Sequence, residues 1–315
     1  MVFLNFVYSM KKNIRNIALL LAILPPFAAW CQQDPQYSLY MFDKMAVNPA
    51  AAGSKDALEA NILSRLQWVG IPGGPTTNAL LISTPVASKK VGWGLEVMDD
   101  AVGPTNSALV QLNYAYNIPV GNGKLAMGLG LGVYNYAIDF TKIDYKDKTD
   151  QYAMTGNTTT LAPTAEFGLY YHNESWYMGL SFNHLIESNI TTIATDTNAT
   201  FKPHGYFIAG KAFKSKSGII WNPSIIFQFA QNAPPAASIN MNVLLAEKIW
   251  LGVSLKPGYG VVFLAAYKVS QVMSIGYSYD LGLNAIGQVG GGSHELALTF
   301  DFARYKAAQF SPRFF

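Results

Sequence analysis

Cysteine, charge and long apolar runs are all scarce in this chain. The single cysteine, Cys31, lies near the start, so no disulfide, cysteine–metal site or thiol nucleophile is expected in the rest. Charged residues make up 13% of the sequence, against about 25% in an ordinary soluble domain. Beyond residue 31, no stretch approaches the roughly 18 to 20 apolar residues that a membrane-spanning helix needs. The composition therefore fits neither a water-exposed surface nor a helical membrane protein.

The first 31 residues have the pattern of a cleavable signal peptide. Three basic residues precede the apolar run 17–29, and Ala29-Trp30-Cys31 resembles a small-x-small cleavage site. We therefore expect the mature chain to begin at Gln32. Lipidation of Cys31 is the alternative, although that modification usually follows a small residue and not a tryptophan. The leader holds three of the 22 basic residues and none of the 19 acidic ones, so the remaining chain is balanced and no nucleic-acid partner is expected.

Period-two alternation of apolar and polar side chains recurs along the chain. Between residues 107 and 119, Leu112 and Tyr114 share one face of the predicted strand, whereas Gln111 and Asn113 share the other. Such strands suit a wall with lipid on one side and a polar interior on the other. In 124–138, glycines oppose the leucines, which predicts that something packs closely against the inner wall there. Fourteen segments follow the pattern: 57–69, 76–86, 91–99, 107–118, 124–138, 163–173, 175–184, 203–213, 218–230, 236–246, 249–256, 259–268, 271–280 and 293–303.

The connections between these segments alternate in length. Every second connection is a short turn, and the three longest, 139–162, 185–202 and 281–292, all fall in the other set. Because a sheet in lipid must close on itself, we predict an all-β fold: a transmembrane antiparallel β-barrel of about fourteen strands in a bacterial outer membrane. Short turns would face the periplasm and longer loops the exterior. A soluble β-sandwich is the alternative, but it explains neither the one-sided loops nor the low charge.

The predicted barrel covers residues 57–303, with a tail at 304–315 and an N-terminal periplasmic or plug segment at 32–56. That segment is too irregular for a strand, and the glycine-lined fifth strand would leave room for it, so we favour a partial plug in the lumen. The alternative is a disordered tail, although Tyr37, Tyr40, Met41 and Phe42 argue against it. Near the strand ends, five tryptophans are expected in the aromatic girdles that face the membrane interfaces: Trp68, Trp93, Trp176, Trp221 and Trp250.

The two longest predicted loops are the candidate surface for binding a partner, because long loops on a rigid scaffold usually carry binding. Calcium is conceivable at the aspartates of the first loop, but the mixed charges and the absence of EF-hand spacing favour a solvated loop. The candidate contact residues are Asp139, Asp144, Tyr145, Asp147, Asp150, Tyr152, Asn157, Thr191 and Asp196.

No constellation for catalysis, metal or cofactor is predicted. The four histidines, His172, His184, His204 and His294, have no metal-like neighbours at close spacing, so structural hydrogen bonding is expected of them. Ser293-His294-Glu295 contains the residue types of a hydrolase catalytic triad. Adjacent residues of a strand point to opposite faces, however, and cannot form a nucleophile–base pair. The chain is therefore not expected to be an enzyme.

Two regions of the sequence are more distinctive of a particular protein family than the strand pattern is. The first, residues 32–54, reads QQDPQYSLYMFDKMAVNPAAAGS, and the second comprises GYSYD at 276–280, GSHEL at 292–296 and SPRFF at 311–315. Together with QWVGI at 67–71, they resemble the PorP/SprF family of outer-membrane proteins of the type IX secretion and gliding machinery. The plug and family-motif residues are Gln33, Asp34, Pro35, Gln36, Tyr40, Met41, Asn48, Pro49, Gly53, Ser293, His294 and Glu295.

The resemblance implies a fourteen-stranded barrel that binds a secreted partner with a type IX C-terminal domain and supports its export or surface attachment. It also implies the periplasmic ring lipoprotein PorK as a partner, besides outer-membrane lipid. Asp43-Lys44 and Ala51 depart from the family's usual residues, which leaves the role of the opening segment open. The alternative function is a passive or substrate-specific channel for small or hydrophobic solutes.

Overall fold

The computed structural model describes residues 35–55, 57–86, 90–146, 155–190, 199–230 and 233–302. These residues form a closed antiparallel barrel in which each main strand pairs with its neighbours along the chain. Pairing of the last strand with the first, and of β8 with both β7 and β9, completes the ring. The fourteen strands are β1 Glu59–Leu66, β2 Thr76–Pro85, β3 Val91–Val102, β4 Thr105–Val120, β5 Gly123–Asp139, β6 Asn157–His172, β7 Trp176–Asn183, β8 His204–Lys211, β9 Ile220–Ala230, β10 Ala236–Leu245, β11 Ile249–Lys256, β12 Gly260–Lys268, β13 Met273–Gly282 and β14 Ser293–Asp301.

The predicted alternation separates an outer apolar face from an inner polar face. On β4, Leu112 is 58% exposed on the outside, whereas Gln111 and Asn113 are buried inside. On β5, Leu131 is 65% exposed and the glycines at 128 and 130 face inward. The strand prediction and its apolar-out orientation are therefore confirmed.

The connections divide the barrel into two ends. At the turn end, short turns join β2 to β3, β4 to β5 and each later pair up to β12 and β13, and this end faces the periplasm. At the loop end lie the longer connections, including one with a two-residue ladder between Asn189–Ile190 and Ala199–Thr200. Another contains the short helix Ala285–Val289.

The first long loop is shorter than predicted. Residues 157–162 are strand, because β5 continues to Asp139 and β6 begins at Asn157, directly opposite it. The polar threonines of this stretch had suggested a loop, but β-branched residues suit strands, and beyond the lipid both faces of a strand meet water. The strands β3 to β6 thus extend past the apolar band at the loop end.

The helices within the described residues are short. Besides Ala285–Val289, they are the 3₁₀ turns Lys44–Ala46, Pro49–Ala51 and Phe140–Lys142. In the part of the chain that the structure describes, no helix has the length and apolar character to cross a membrane.

The girdle prediction is wrong for one tryptophan. Trp93 and Trp176 are 47% and 36% exposed on the outer face, as a girdle requires. Trp250 lies between the outward-facing Ile249 and Leu251, so its side chain points inward, where it meets the ring of Phe42 edge-on at 6.2 Å. Strand parity, rather than proximity to a strand end, decides on which face an aromatic residue lies.

Replacing Leu112 with arginine is expected to reduce the free energy of unfolding by about 2 to 4 kcal/mol, because its side chain faces the middle of the lipid layer. Val120 is also exposed but ends β4 at the turn end, so Val120→Arg should cost at most about 1 kcal/mol. Urea unfolding in lipid vesicles measures both, and equal losses would contradict the assigned membrane level.

Candidate functional site

The segment of residues 35–55 lies inside the barrel. From Ser38 at the loop end, it descends beside β13 and β14 to Phe42 and Asp43. It then crosses the lumen, where the Asn48 side chain reaches β6 and β7, and returns to the turn end at Lys55, just before β1. Most of these side chains are under 9% exposed. The described part of the opening segment therefore fills the lumen and does not extend away from the barrel.

Five inward-facing glycines, which we call the inner glycines, let the segment approach the wall: Gly92, Gly94, Gly128, Gly168 and Gly179. A Cβ atom on Gly128 would lie 2.2 Å from the backbone nitrogen of Ala50, and one on Gly92 would lie 2.0 Å from the Ala52 carbonyl oxygen. Real Cβ atoms do not approach backbone atoms so closely, so a side chain at either position would require the wall or the segment to shift. The packing predicted from the glycines of β5 thus extends over β3, β6 and β7.

Asn48 joins the middle of the segment to the wall. Its side-chain nitrogen donates to the carbonyl oxygens of Leu169 and Leu180 at 3.0 and 3.4 Å, while its side-chain oxygen accepts from the backbone of Ala50 at 2.9 Å. The same oxygen caps the 3₁₀ turn that Pro49 begins. The Asn-Pro pair therefore both shapes the turn and holds it against β6 and β7.

A group of four buried charges, which we call the loop-end ion group, consists of Arg65, Lys256, Asp280 and Glu295. The Arg65 guanidinium donates to Asp280 and Glu295 at 2.8 Å each, and the Lys256 ammonium lies 3.1 Å from Asp280. Both carboxylates are fully buried. Two positive and two negative charges cancel formally, which reduces the cost of burying them.

Ser38 and Leu39 attach the segment to this group. Their backbone nitrogens donate to the two carboxylate oxygens of Glu295 at 2.8 and 2.9 Å. The Ser38 hydroxyl donates to Asp280 and accepts from Arg65 and Lys256. The start of the described chain is thus held to β1, β11, β13 and β14 at once.

A second group, the turn-end ion group, consists of Asp43, Lys44, Lys55 and Glu59. Lys55 forms an ion pair with Glu59, and Asp43 accepts from Asn61 of β1 at 2.7 Å. The Lys44 ammonium donates to the Met41 carbonyl oxygen at 2.8 Å and lies 4.8 Å from the centre of the Tyr177 ring. These contacts fix the segment where it enters the wall.

Burial changes the protonation behaviour of the segment's own charges. It lowers the pKa of Lys44 well below the usual range, and the Lys55 charge acts in the same direction. Burial also raises the pKa of Asp43, against the opposing effect of Lys55. Both shifts follow from removing these groups from water.

A small cavity lies between the segment and the wall beside β1 and β2. It is lined by Tyr37, Leu39 and Tyr40 on one side and Asn61, Leu63 and Leu81 on the other, and it has a volume of about 10 Å³. A cavity of this size holds about one water molecule. It is too small for a solute.

The residues predicted from the family motif come together only in part. Tyr40, Met41, Asn48, Pro49 and Gly53 are buried in the lumen, and Pro35 and Gln36 are half-buried at its loop end. Gln33 and Asp34 lie outside the described residues. Glu295 and Ser293 face inward, whereas the His294 ring faces outward, 2.7 Å from the Tyr277 hydroxyl. Ser293 and His294 therefore point to opposite faces, as expected.

The predicted loop residues lie apart from the lumen site. Asp139 ends β5 and accepts from the Thr141 backbone at 3.1 Å, and Asn157 opposes it across the strand pair. Asp144 and Tyr145 follow the 3₁₀ turn at the surface. The remaining predicted contacts, Asp147, Asp150, Tyr152, Thr191 and Asp196, lie outside the described residues.

Among the described residues, no three histidine, cysteine, aspartate or glutamate side chains converge on a point that could hold a metal ion. His184 is buried and stacks on Phe201 with ring centres 5.0 Å apart. The main residues that the sequence did not predict are Arg65, Lys256 and Asp280. Arg65 did lie on the polar face of the first predicted strand, and an inward-facing arginine in a membrane strand calls for a carboxylate partner.

Comparison with known proteins gives one match by sequence and several by fold. The family model described as the type IX secretion system membrane protein PorP/SprF matches residues 30–300. No curated protein matches the chain. The outer-membrane protein Omp33 of Acinetobacter baumannii is similar in structure, with a TM-score of 0.46, 8% identity and coverage of 78% of this chain and 99% of that one. CymD, a monoaromatic hydrocarbon channel, has a TM-score of 0.46, 11% identity and coverage of 84% and 93%.

Gly128→Ala is expected to displace Ala50 and its neighbours from the wall, since the added methyl group would overlap the backbone. Hydrogen exchange at residues 50–52 and ion conductance in planar bilayers should both rise. Gly276→Ala is the matched control: its Cβ would lie 3.6 Å from the Leu39 side chain, an ordinary contact. Unchanged exchange in Gly128→Ala, or an equal rise in the control, would contradict the packing.

An epitope tag inserted directly before Pro35 is expected to bind antibody on intact cells, because Ser38 lies at the loop end of the lumen. The same tag placed in the turn between β8 and β9, at residues 215–217, should bind only after the outer membrane is permeabilised. Labelling of the first tag only after permeabilisation would reverse the assigned direction of the segment.

Proposed function

Since the chain belongs to the PorP/SprF family of type IX secretion system membrane proteins, we propose that this outer-membrane barrel binds a secreted partner with a type IX C-terminal domain. Binding takes place at the loop end, and it supports the partner's export or its attachment to the cell surface. The barrel is a receptor and anchor in this role, and it carries out no covalent chemistry.

The observation that carries this proposal is the filled lumen. The segment of residues 35–55 lies against the inner glycines without space for a methyl group at several positions. Both of its ends are held by buried ion groups, so if the segment left the lumen, buried charges would lose their partners. Breaking a buried ion pair by removing one partner costs about 3 to 5 kcal/mol. A barrel filled in this way presents its ends, and not its interior, to other molecules.

The loop end has the features of a binding surface. There β3 to β6 extend past the apolar band, so the connection between Asp139 and Asn157 stands on a rigid base. The connections 67–75 and 283–292 support each other through hydrogen bonds between Val69 and both Gly291 and Gly292, at 2.6 and 2.9 Å. Loops held by such scaffolds are where proteins commonly place recognition.

On the periplasmic side, the proposal assigns the turn end to the secretion machinery, with the ring lipoprotein PorK as the partner that the family resemblance implies. The same resemblance extends the role to gliding in cells that glide. The competing function is a channel for small or hydrophobic solutes. That function requires the segment of residues 35–55 to leave the lumen.

The test is affinity purification of the tagged protein from outer membranes in mild detergent. We expect one large protein with a type IX C-terminal domain to co-purify in near-stoichiometric amount. Replacing residues 143–154 with a short Gly-Ser linker should remove it. Replacing residues 231–234, in another loop-end connection, is the matched control and should leave binding intact.

Folding of each variant is checked by its shift on unheated SDS gels, since folded barrels migrate differently from unfolded chains. A correctly folded wild-type barrel that purifies alone and conducts solute in a planar bilayer would overturn the proposal in favour of the channel. Equal loss of the partner in both loop variants would remove the assignment to residues 143–154.

A further inference from the structure

Most of the exposed lysines that the described residues place at the turn end lie on one side of it, while Lys90 and Lys124 lie on the other side, at the start of β3 and β5. Five of them, which we call the lysine rim, lie at the ends of the consecutive strands β8 to β12: Lys211, Lys214, Lys216, Lys248 and Lys268. The turns that carry them are adjacent: the Lys268 backbone nitrogen donates to the Lys248 carbonyl oxygen at 2.9 Å, and Ile220 after the first turn pairs with Leu244 before the second. Glu247 is the one acidic residue that the described part of these turns contains, and Glu174 lies on the adjoining turn between β6 and β7.

The charge of the rim is not neutralised within the described residues. None of the five ammonium groups forms an ion pair there, whereas Lys55 and Lys256 of the two ion groups do. Like charges held on neighbouring turns repel each other, and the repulsion is relieved when anions collect beside them. The rim therefore favours a negatively charged neighbour that comes from outside the chain.

The opposite end of the barrel has the opposite balance. Outside the loop-end ion group, its exposed or half-buried charges in the described residues are Lys142, Lys146 and Lys202 against Asp99, Asp100, Asp139, Asp144 and Glu187. Lysines are thus not spread evenly over the water-facing surface for general solubility. In the described residues they are more frequent at the periplasmic end, and five of them lie on consecutive strands there.

The position of Lys211 relates the rim to lipid. Lys211 pairs across the strands with Trp176, and both side chains lie on the outer, lipid-facing side of the wall. Phe213, which is 47% exposed, pairs in the same way with Trp221. Aromatic side chains at this level mark the border between hydrocarbon and headgroups. A lysine beside them places its stem along the hydrocarbon and its ammonium group among the headgroups.

We propose that the lysine rim is a binding surface for anionic phospholipid headgroups of the adjoining membrane leaflet. The phosphates would lie between Lys211 on the wall and the turn lysines below it, with the acyl chains against Trp176 and Phe213. An acidic protein that approached from the periplasm would meet the turn lysines, but it would have no access to Lys211 on the lipid-facing side. This inference does not depend on the proposed secretion function.

The test uses fluorescence quenching by brominated lipid. In protein that carries Trp68→Phe and Trp93→Phe, the lipid-facing tryptophans left are Trp176 and Trp221, next to the rim, while Trp250 lies inside the barrel. Reconstitution into vesicles with brominated phosphatidylglycerol or brominated phosphatidylcholine gives the relative binding constant of the two lipids. We expect phosphatidylglycerol to bind several-fold more tightly, and we expect this preference to weaken as salt is added.

In the triple variant Lys211→Gln, Lys214→Gln and Lys216→Gln, the relative constant should fall close to one. The matched control removes the same charge at the other end, through Lys142→Gln, Lys146→Gln and Lys202→Gln, and should keep the preference. A wild-type constant near one, or a preference that survives the rim substitutions, would overturn the proposal. So would rim variants that bind lipid normally but lose a co-purifying acidic protein.

Discussion

A single buried cation fixes the relation between the barrel wall and its contents. Arg65 cannot lie in the interior without anionic partners, and it finds them in Asp280 and Glu295, on strands that come at the far end of the chain. The same two carboxylates hold Ser38 and Leu39. The position of the first strand, the last two strands and the opening segment is therefore set by one neutral group of charges.

Because the opening segment occupies the lumen, the barrel presents its two ends to other molecules. At the loop end, strands that extend past the apolar band carry an acidic surface, and two of the connections there are hydrogen-bonded to each other. At the turn end, lysines on adjacent turns lie at the level of an aromatic belt. The barrel therefore has two chemically different ends, each held at a fixed height in the membrane by the same wall.

The fold was predictable because its signal is local. Alternation along each strand reports directly which side chains meet lipid, and the lengths of the connections report the two ends. The site was predictable only in part, because its contacts join residues 215 and 230 positions apart. Arg65 was visibly inward-facing, but nothing in the sequence named Asp280 as its partner. The inner glycines of β3, β6 and β7 become meaningful only when the strand register brings them opposite Ala52 and Asn48. At residues 157–161, polar threonines concealed a strand that is buried on neither face.

The path of the opening segment also determines the order in which the molecule is assembled. The segment is enclosed by a wall that closes only when β14 pairs with β1, so it has to be in place before the ring shuts. Its loop-end contacts, however, are made to β13 and β14 themselves, the strands at the end of the chain that complete the ring. Closure of the wall and attachment of the segment of residues 35–55 consequently occur together. In an incompletely inserted chain, this segment would not be bound at its Ser38 end.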